Sequence, residues 1–324
     1  MAAGNITQAL LVTHHIRIGE LDQHRFVLAF KSFEAIQHGS SAYRDPYTRP
    51  VPALPPDWAE ANRRAWDERV PIHLASEFYD VSSFKAGKGS LEPFEVEEMG
   101  ALGELRLAHL QCHFGLDTLD LVRLHPTLRA VGLDFSVPAI EAANGLATEL
   151  GLAERVSFVH ADVRHAADAL GAGSFDAVYT GKGALCWLPD LDDWATQCAA
   201  LLRPGGWLYV SEFHPVGYAL GVESPVVADD YFRTEPWVEE EAGSYAEPGA
   251  PTSANLMYCW NHPLSKVFSA LIGAGFSLRF FHEYDYTLFP MNSWLVRSAD
   301  RPRWDWPSQS GRLPLMFSLR ADLS

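Results

Sequence analysis

A chain of 324 residues, 48% hydrophobic and 20% charged, has the size and balance of a soluble globular protein with one large core, or one core and an appended cap. Its net charge of -16 repels phosphate backbones and no Lys/Arg cluster offsets it, so a broad nucleic-acid footprint is excluded and small-molecule work is expected. No apolar run reaches the roughly 20 residues of a membrane span. The opening MAAGNITQALLVTHHIR lacks the basic start and apolar centre of a secretory signal, so the expected location is cytoplasmic.

Residues 1–50 alternate short apolar runs, ALLVTHHIRI and HRFVLAF, with polar ones that fit helix or strand. They read as a homodimer arm, an extra cap layer or an extension. RPVPALPPD (50–57) is an extended Pro-rich connector. WAEANRRAWDERV then predicts a helix ending at the Pro71 break. These segments divide the chain into an extension and connector (1–56), a helical cap (57–104) and a core (105–324).

From residue 105 strands and helices alternate. LRLAHL (105–110) predicts a strand, followed by a helix to about Leu124. LRAVGLDF (128–135) is a second strand ending in an acid, with a helix from about residue 137. VSFVHAD (156–162) is a third, again ending in an acid. SFDAVYT (174–180) is a fourth, LDDWATQCAALL (191–202) an amphipathic helix, and RPGGWLYVSEFHP (203–215) a turn and fifth strand. This order predicts an α/β fold with a parallel, doubly wound, Rossmann-like sheet. The helix HPLSKVFSALIGAG, the strand FSLRFFHEY and a final strand near SWLVRS complete the pattern.

Residues 215–260 break the alternation. The segment is acidic, yet it carries Tyr218, Tyr231, Phe232, Trp237, Tyr245, Tyr258 and Trp260. Disordered segments are poor in aromatics, so a lid is expected. The four cysteines are scattered without a CxxC pair, which favours reduced, buried thiols and no metal site.

Ligands of open α/β sheets bind at the carboxyl ends of the strands. Three features fall there: the loop 111–115 before a helix N-terminus, Asp134 placed for ribose hydroxyls, and Asp162 placed for an exocyclic amine. Each has a plainer reading as a turn or helix cap; Ser136 or Asp134 could cap the helix that contains Pro138. The blocks LAHLQCHFGLDTL, VGLDFSVPAIEAAN, FVHADV, FDAVYTGKGALCWLPD and LLRPGGWLYVSEFHP together resemble the class I S-adenosylmethionine-dependent methyltransferases, in their small-molecule, secondary-metabolite branch. The resemblance covers roughly residues 60–299. It implies a seven-stranded sheet whose last strand is antiparallel, S-adenosyl-L-methionine as cofactor and S-adenosyl-L-homocysteine as product.

Carried over by position, the resemblance gives Asp134 and Phe135 to the ribose and Asp162 with Val163 to the adenine. Gln111, His113, Gly115, Thr180 and Gly181 border the methionine portion, and Tyr79 is set to reach its carboxylate. The departure lies in the opening loop. His109 stands where the family has an acid, and Gln111 and His113 stand for two glycines, offering side-chain hydrogen bonds where glycine offers only backbone.

The acceptor pocket is expected under the cap and lid, lined by Trp66, His73, Phe84, Trp187, Tyr231 and Trp237, a wall suited to an aromatic (phenol- or indole-like) or amine-bearing metabolite. His214 and Glu212 at the end of strand five are the candidate base pair, with His73, Glu77 and Tyr79 as further candidates. Two other readings stand beside transfer. A nicotinamide-dependent oxidoreductase would share the first strands but needs the absent GxGxxG, and a regulatory module would keep the fold without catalysis.

Overall fold

The computed structural model describes residues 54–299, 303–309 and 311–324, all within one unit, Pro50–Ser324. The readings made of residues 1–50 and of the start of the connector lie outside the described residues.

Helix α1, Trp58–Ala75, buries Trp58, Asn62, Ala65, Arg69, Val70 and His73, the stripe that a 3.6-residue repeat lays along one face. It does not stop at Pro71 as the sequence predicted. Pro71 is exposed, so the hydrogen bond its nitrogen cannot donate is lost on the side where water serves the orphaned carbonyl. Two short helices follow, α2 (Val81–Lys85) and α3 (Pro93–Met99), the latter closed by a reciprocal capping box between Glu92 and Glu95.

The sheet is built from β1 (Arg106–Leu110), β2 (Arg129–Asp134), β3 (Val156–His160), β4 (Phe175–Gly181), β5 (Leu202–Phe213), β8 (Phe276–Tyr284) and β12 (Met316–Leu323). Helices α4 (Leu116–Leu124), α5 (Val137–Glu149), α6 (Ala166–Leu170) and α7 (Leu191–Leu201) connect its parallel part. Between β5 and α9 (Leu264–Gly273) lie α8 (Pro215–Ala219) and the paired short strands β6 (Trp237–Glu239) and β7 (Met257–Cys259).

Strand order is β3-β2-β1-β4-β5-β12-β8. β1 to β5 pair in parallel, while β12 runs antiparallel to both β5 and β8. This is the doubly wound, mostly parallel seven-stranded sheet that the resemblance implied. One strand was misplaced. Val296–Arg297 (β10) joins Trp304–Asp305 (β11) and Tyr286–Thr287 (β9) in a small separate sheet, and the antiparallel strand is Met316–Leu323. The reason is burial. An inner strand must be apolar on both faces, and Met316, Phe317, Leu319 and Ala321 are all sealed, whereas Val296 is 52% exposed.

Apolar residues pack on both sheet faces. One layer gathers Leu110, Val178, Trp194 and Leu208 beneath α7 and α9; the other gathers Leu107, Phe114, Leu119 and Phe158 beneath α4 and α5. β1 and β4 are neighbours although β2 and β3 intervene in sequence, so the chain turns away in opposite directions from their carboxyl ends. A crevice opens at that point.

Candidate functional site

The strand ends open into a cavity of about 1260 Å³. Its floor is the loop between β1 and α4, where Gln111, His113 and Gly115 take φ values of 55°, 52° and 77°. Side chains in this left-handed region cost about 1–2 kcal/mol each, which is why glycine usually occupies it. Both side chains are tied down. Gln111 Nε2 donates to the Ala184 carbonyl at 2.9 Å, and His113 Nε2 meets His73 Nδ1 at 2.9 Å. Trp66 packs edge-on to His113 with ring centres 5.2 Å apart. The loop thus follows a glycine-type backbone path with two polar side chains added.

Asp134, at the end of β2, accepts from the His113 amide at 2.8 Å and from the Ser136 amide at 2.9 Å. Ser136 is the residue that caps α5, so Asp134 is not spent as a cap. Burial pushes its carboxyl up to about 6, against the two amide hydrogen bonds. Asp162 follows β3 and is gripped by Arg164, with Nη2 to Oδ2 at 2.5 Å. Burial opposes its ionisation, but the hydrogen bonds and charge of Arg164 prevail and hold the carboxyl below its usual range.

The cavity wall brings together Gln111, His113, Gly115, Asp134 and Phe135. Asp162, Val163, Gly181 and Tyr79 join them. Thr180 does not, being sealed one residue below the rim with Oγ1 unpartnered. Of the acceptor candidates, Trp66, Phe84 and Trp187 line the wall. His73 is buried behind it, joining His113 to Ser244 Oγ, which lies 2.6 Å from its Nε2. Burial, with the charge of Arg69, keeps His73 neutral down to about pH 3.

Five further residues singled out in the sequence lie away from the wall. Tyr231 and Trp237 spend their polar tips within residues 229–264: the Tyr231 hydroxyl accepts from the Leu264 amide, and Trp237 Nε1 donates to Asp229. Glu212 turns back under the loop after β4, its oxygens accepting the amides of Gly183, Ala184, Leu185 and Phe213. With those lone pairs engaged it braces the loop. His214 caps α8 by accepting the Val216 amide, and its Nε2 lies 3.1 Å from Glu283 on the far strand without hydrogen-bond alignment. Burial lowers His214 to about 4. Glu77 is exposed and off the wall.

Several wall residues escaped the sequence reading. Lys182, after β4, has φ of 45° and pairs at 3.1 Å with both Glu95 and Asp117. Burial works against its charge, yet the two carboxylates outweigh it and raise the ammonium above its ordinary range. The GKG triplet at a strand end was the available signal. Tyr245 reaches over from the segment between β6 and β7 to hydrogen-bond the Tyr79 hydroxyl, a contact that no local pattern announces.

Comparison with known proteins meets this geometry. Residues 108–206 match the family model described as a methyltransferase domain. Residues 108–206 are thus similar to a methyltransferase domain, set in a sheet of the class I methyltransferase fold. A ubiquinone biosynthesis O-methyltransferase of Xanthomonas oryzae pv. oryzae (strain PXO99A) is 30% identical to it over 154 residues, 46% of this chain and 62% of the relative. The chain therefore spans less than two thirds of that relative's length. Among solved structures, the geranyl diphosphate C-methyltransferase of Streptomyces coelicolor A3(2) superposes with a TM-score of 0.52 at 16% identity, covering 85% of this chain and 100% of that one. A structure assigned to the S-adenosylmethionine-dependent methyltransferases from Listeria monocytogenes gives 0.51 at 15%, covering 75% and 99%. At those identities the likeness is one of fold.

The residues at these strand ends fit S-adenosylmethionine chemically. Gln111 Oε1 is a buried acceptor without a partner in the wall, suited to an ammonium group. Asp134 offers a carboxylate to hydroxyls, and the amides at the start of α4 suit negative charge. When bound, S-adenosylmethionine supplies an electrophilic methyl group on sulfur.

Proposed function

We propose that the cavity holds S-adenosylmethionine across the ends of β1, β2 and β3 and directs its methyl group to a small-molecule acceptor in an in-line displacement. The observation that carries this reading is the hydrogen bond from the His113 amide to Asp134, which locks a left-handed cofactor loop to the strand-end acid beside it. The nucleoside is assigned to Asp134, Phe135, Asp162 and Val163, and the methionine portion to Gln111, His113, Gly115 and Gly181. The protein's part is alignment and exclusion of water, with reacting atoms held about 3–3.5 Å apart.

The acceptor is assigned to the space under Trp66, Trp187 and Tyr245, with Glu239 and Glu241 at its edge. Rings and carboxylates together favour an aromatic or amine-bearing metabolite. Residues 57–104 act as the cap, and the insertion at 215–260 acts as the lid. The names of the O-methyltransferase and C-methyltransferase relatives support a small organic acceptor and leave the methylated atom open. A base role for His214 or Glu212 finds no support in their positions, which favours acceptors that need little help to lose a proton.

Titration calorimetry with S-adenosylhomocysteine and with NAD tests the cofactor, and release of S-adenosylhomocysteine with a panel of phenols, indoles and amines tests transfer. Asp134→Ala is expected to weaken S-adenosylhomocysteine by about 1–3 kcal/mol through lost charge-assisted hydrogen bonds. An unchanged affinity would remove Asp134 from the site. Tight cofactor binding with no turnover on any acceptor would favour a binding module.

A further inference from the structure

Arg69 is a buried cation whose best binding edge is unused. It sits on α1 with 3% of its surface exposed, and it belongs to the cavity wall. Its Nη1 donates to the carbonyls of Ala65 and Ala254, each at 3.0 Å. Nε and Nη2 make no hydrogen bond to any described residue, and no described carboxylate pairs with the guanidinium. Glu68 and Glu239 act on it only through space. Glu68 spends its oxygens on the Ser253 and Ala254 amides at 2.9 and 2.6 Å.

Leaving a buried charge without a counter-charge is costly. Lys182, a half-buried cation of the same wall, has two carboxylates. Nε and Nη2 are not sealed either, and Arg69 lines the cavity. Together the two nitrogens form the side of the guanidinium that accepts a carboxylate through two parallel hydrogen bonds. Around them stand Trp66, Tyr245 and Gly243 of the same wall.

We propose that Arg69 is the carboxylate-recognition residue of this cavity, receiving a ligand's carboxylate on its Nε–Nη2 edge while Nη1 holds the lid backbone at Ala254. The proposal rests on the methyltransferase reading of the cavity. Two ligands can bring that group, the amino-acid end of the cofactor or an acid group on the acceptor.

Calorimetry with S-adenosylhomocysteine and with 5′-methylthioadenosine, which lacks the amino acid, separates the two sources. If the cofactor supplies the carboxylate, Arg69→Gln weakens S-adenosylhomocysteine roughly 10- to 100-fold and leaves methylthioadenosine unchanged. If the acceptor supplies it, both adenosyl ligands keep their affinity. Ligand-observed NMR on the free and S-adenosylhomocysteine-loaded protein then shows benzoate preferred over benzamide, a preference the variant loses. Arg69→Lys keeps the charge without the paired edge and shows a partial loss in the same arm. It carries the test if thermal melts show the Gln variant unfolded.

Carboxylate-independent binding in both arms overturns the proposal, as does an equal fall for both adenosyl ligands in a folded variant. A wild-type protein that binds neither adenosyl ligand overturns the cofactor reading instead. The benzoate–benzamide comparison on the free protein still decides on Arg69.

Discussion

A methyl group added at Gly115 would meet the Phe158 ring at 2.4 Å, on a backbone held at φ of 77°. Gly115→Ala is therefore expected to destabilise the fold by about 2–4 kcal/mol, read from the urea midpoint. A loss under half a kcal/mol would mean that the ring moves freely. Asp134 makes a second prediction at this scale. Folded, it holds its proton up to about pH 6, whereas its ordinary value is 3.8. Between those values the folded state binds more protons than the unfolded chain, so ionisation of Asp134 erodes stability as pH rises. The stability of Asp134→Asn relative to wild type should thus improve between pH 4 and 7, by up to about 3 kcal/mol. Paired denaturation curves check it, and a difference independent of pH would contradict the buried, ionised carboxylate. On the expected outcome, Asp134 gives up stability for its place in the proposed site.

Helix α1 is fastened to the segment around residues 239–259, which lines the cavity, by a series of clasps. Asn62 exchanges two hydrogen bonds with the Tyr258 backbone, both 2.8 Å; Glu68 takes the Ser253 and Ala254 amides; His73 meets Ser244. Asn62→Ala leaves a buried N–H and C=O unpaired and should cost about 2–3 kcal/mol. It should also speed amide exchange around residues 252–260 more than in the central strands. Uniform exchange would show that the helix and that segment are independent. The strands β1 to β5 were readable because buried parallel strands are short apolar runs, and the two acids stood at their ends. The clasps were not: Asn62 and Tyr258 are 196 residues apart, and no local pattern pairs them. Glu212 and His214 were singled out for lying at a strand end, but position along a strand does not say which way a side chain turns. Glu212 turns to the loop at 183–185 and His214 to Glu283. Arg69 and Lys182 passed unnoticed because a single cation in a helix or after a strand usually stays in water.

Buried histidines set the acid limit of the whole molecule. His73 is lowered to about 3, and His109, His214 and His262 to about 4, each chiefly by burial. The unfolded chain protonates them near 6.5, so their contribution is present above that value and is lost as pH falls toward 4. Each can contribute on the order of 3 kcal/mol. Four such groups outweigh the opposite trend of Asp134. Melting temperatures at constant ionic strength should drop steeply between pH 6.5 and 4.5; a flat profile would mean that these rings are hydrated. The place of β12 has a separate consequence. It is slotted between β5 and β8 yet follows both in the chain. A nascent polypeptide emerging from the ribosome therefore presents two unpaired strand edges, with open N–H and C=O groups, until that ribbon arrives. Ribosomal stalling or premature termination in that interval would leave a sticky intermediate for chaperones to shield.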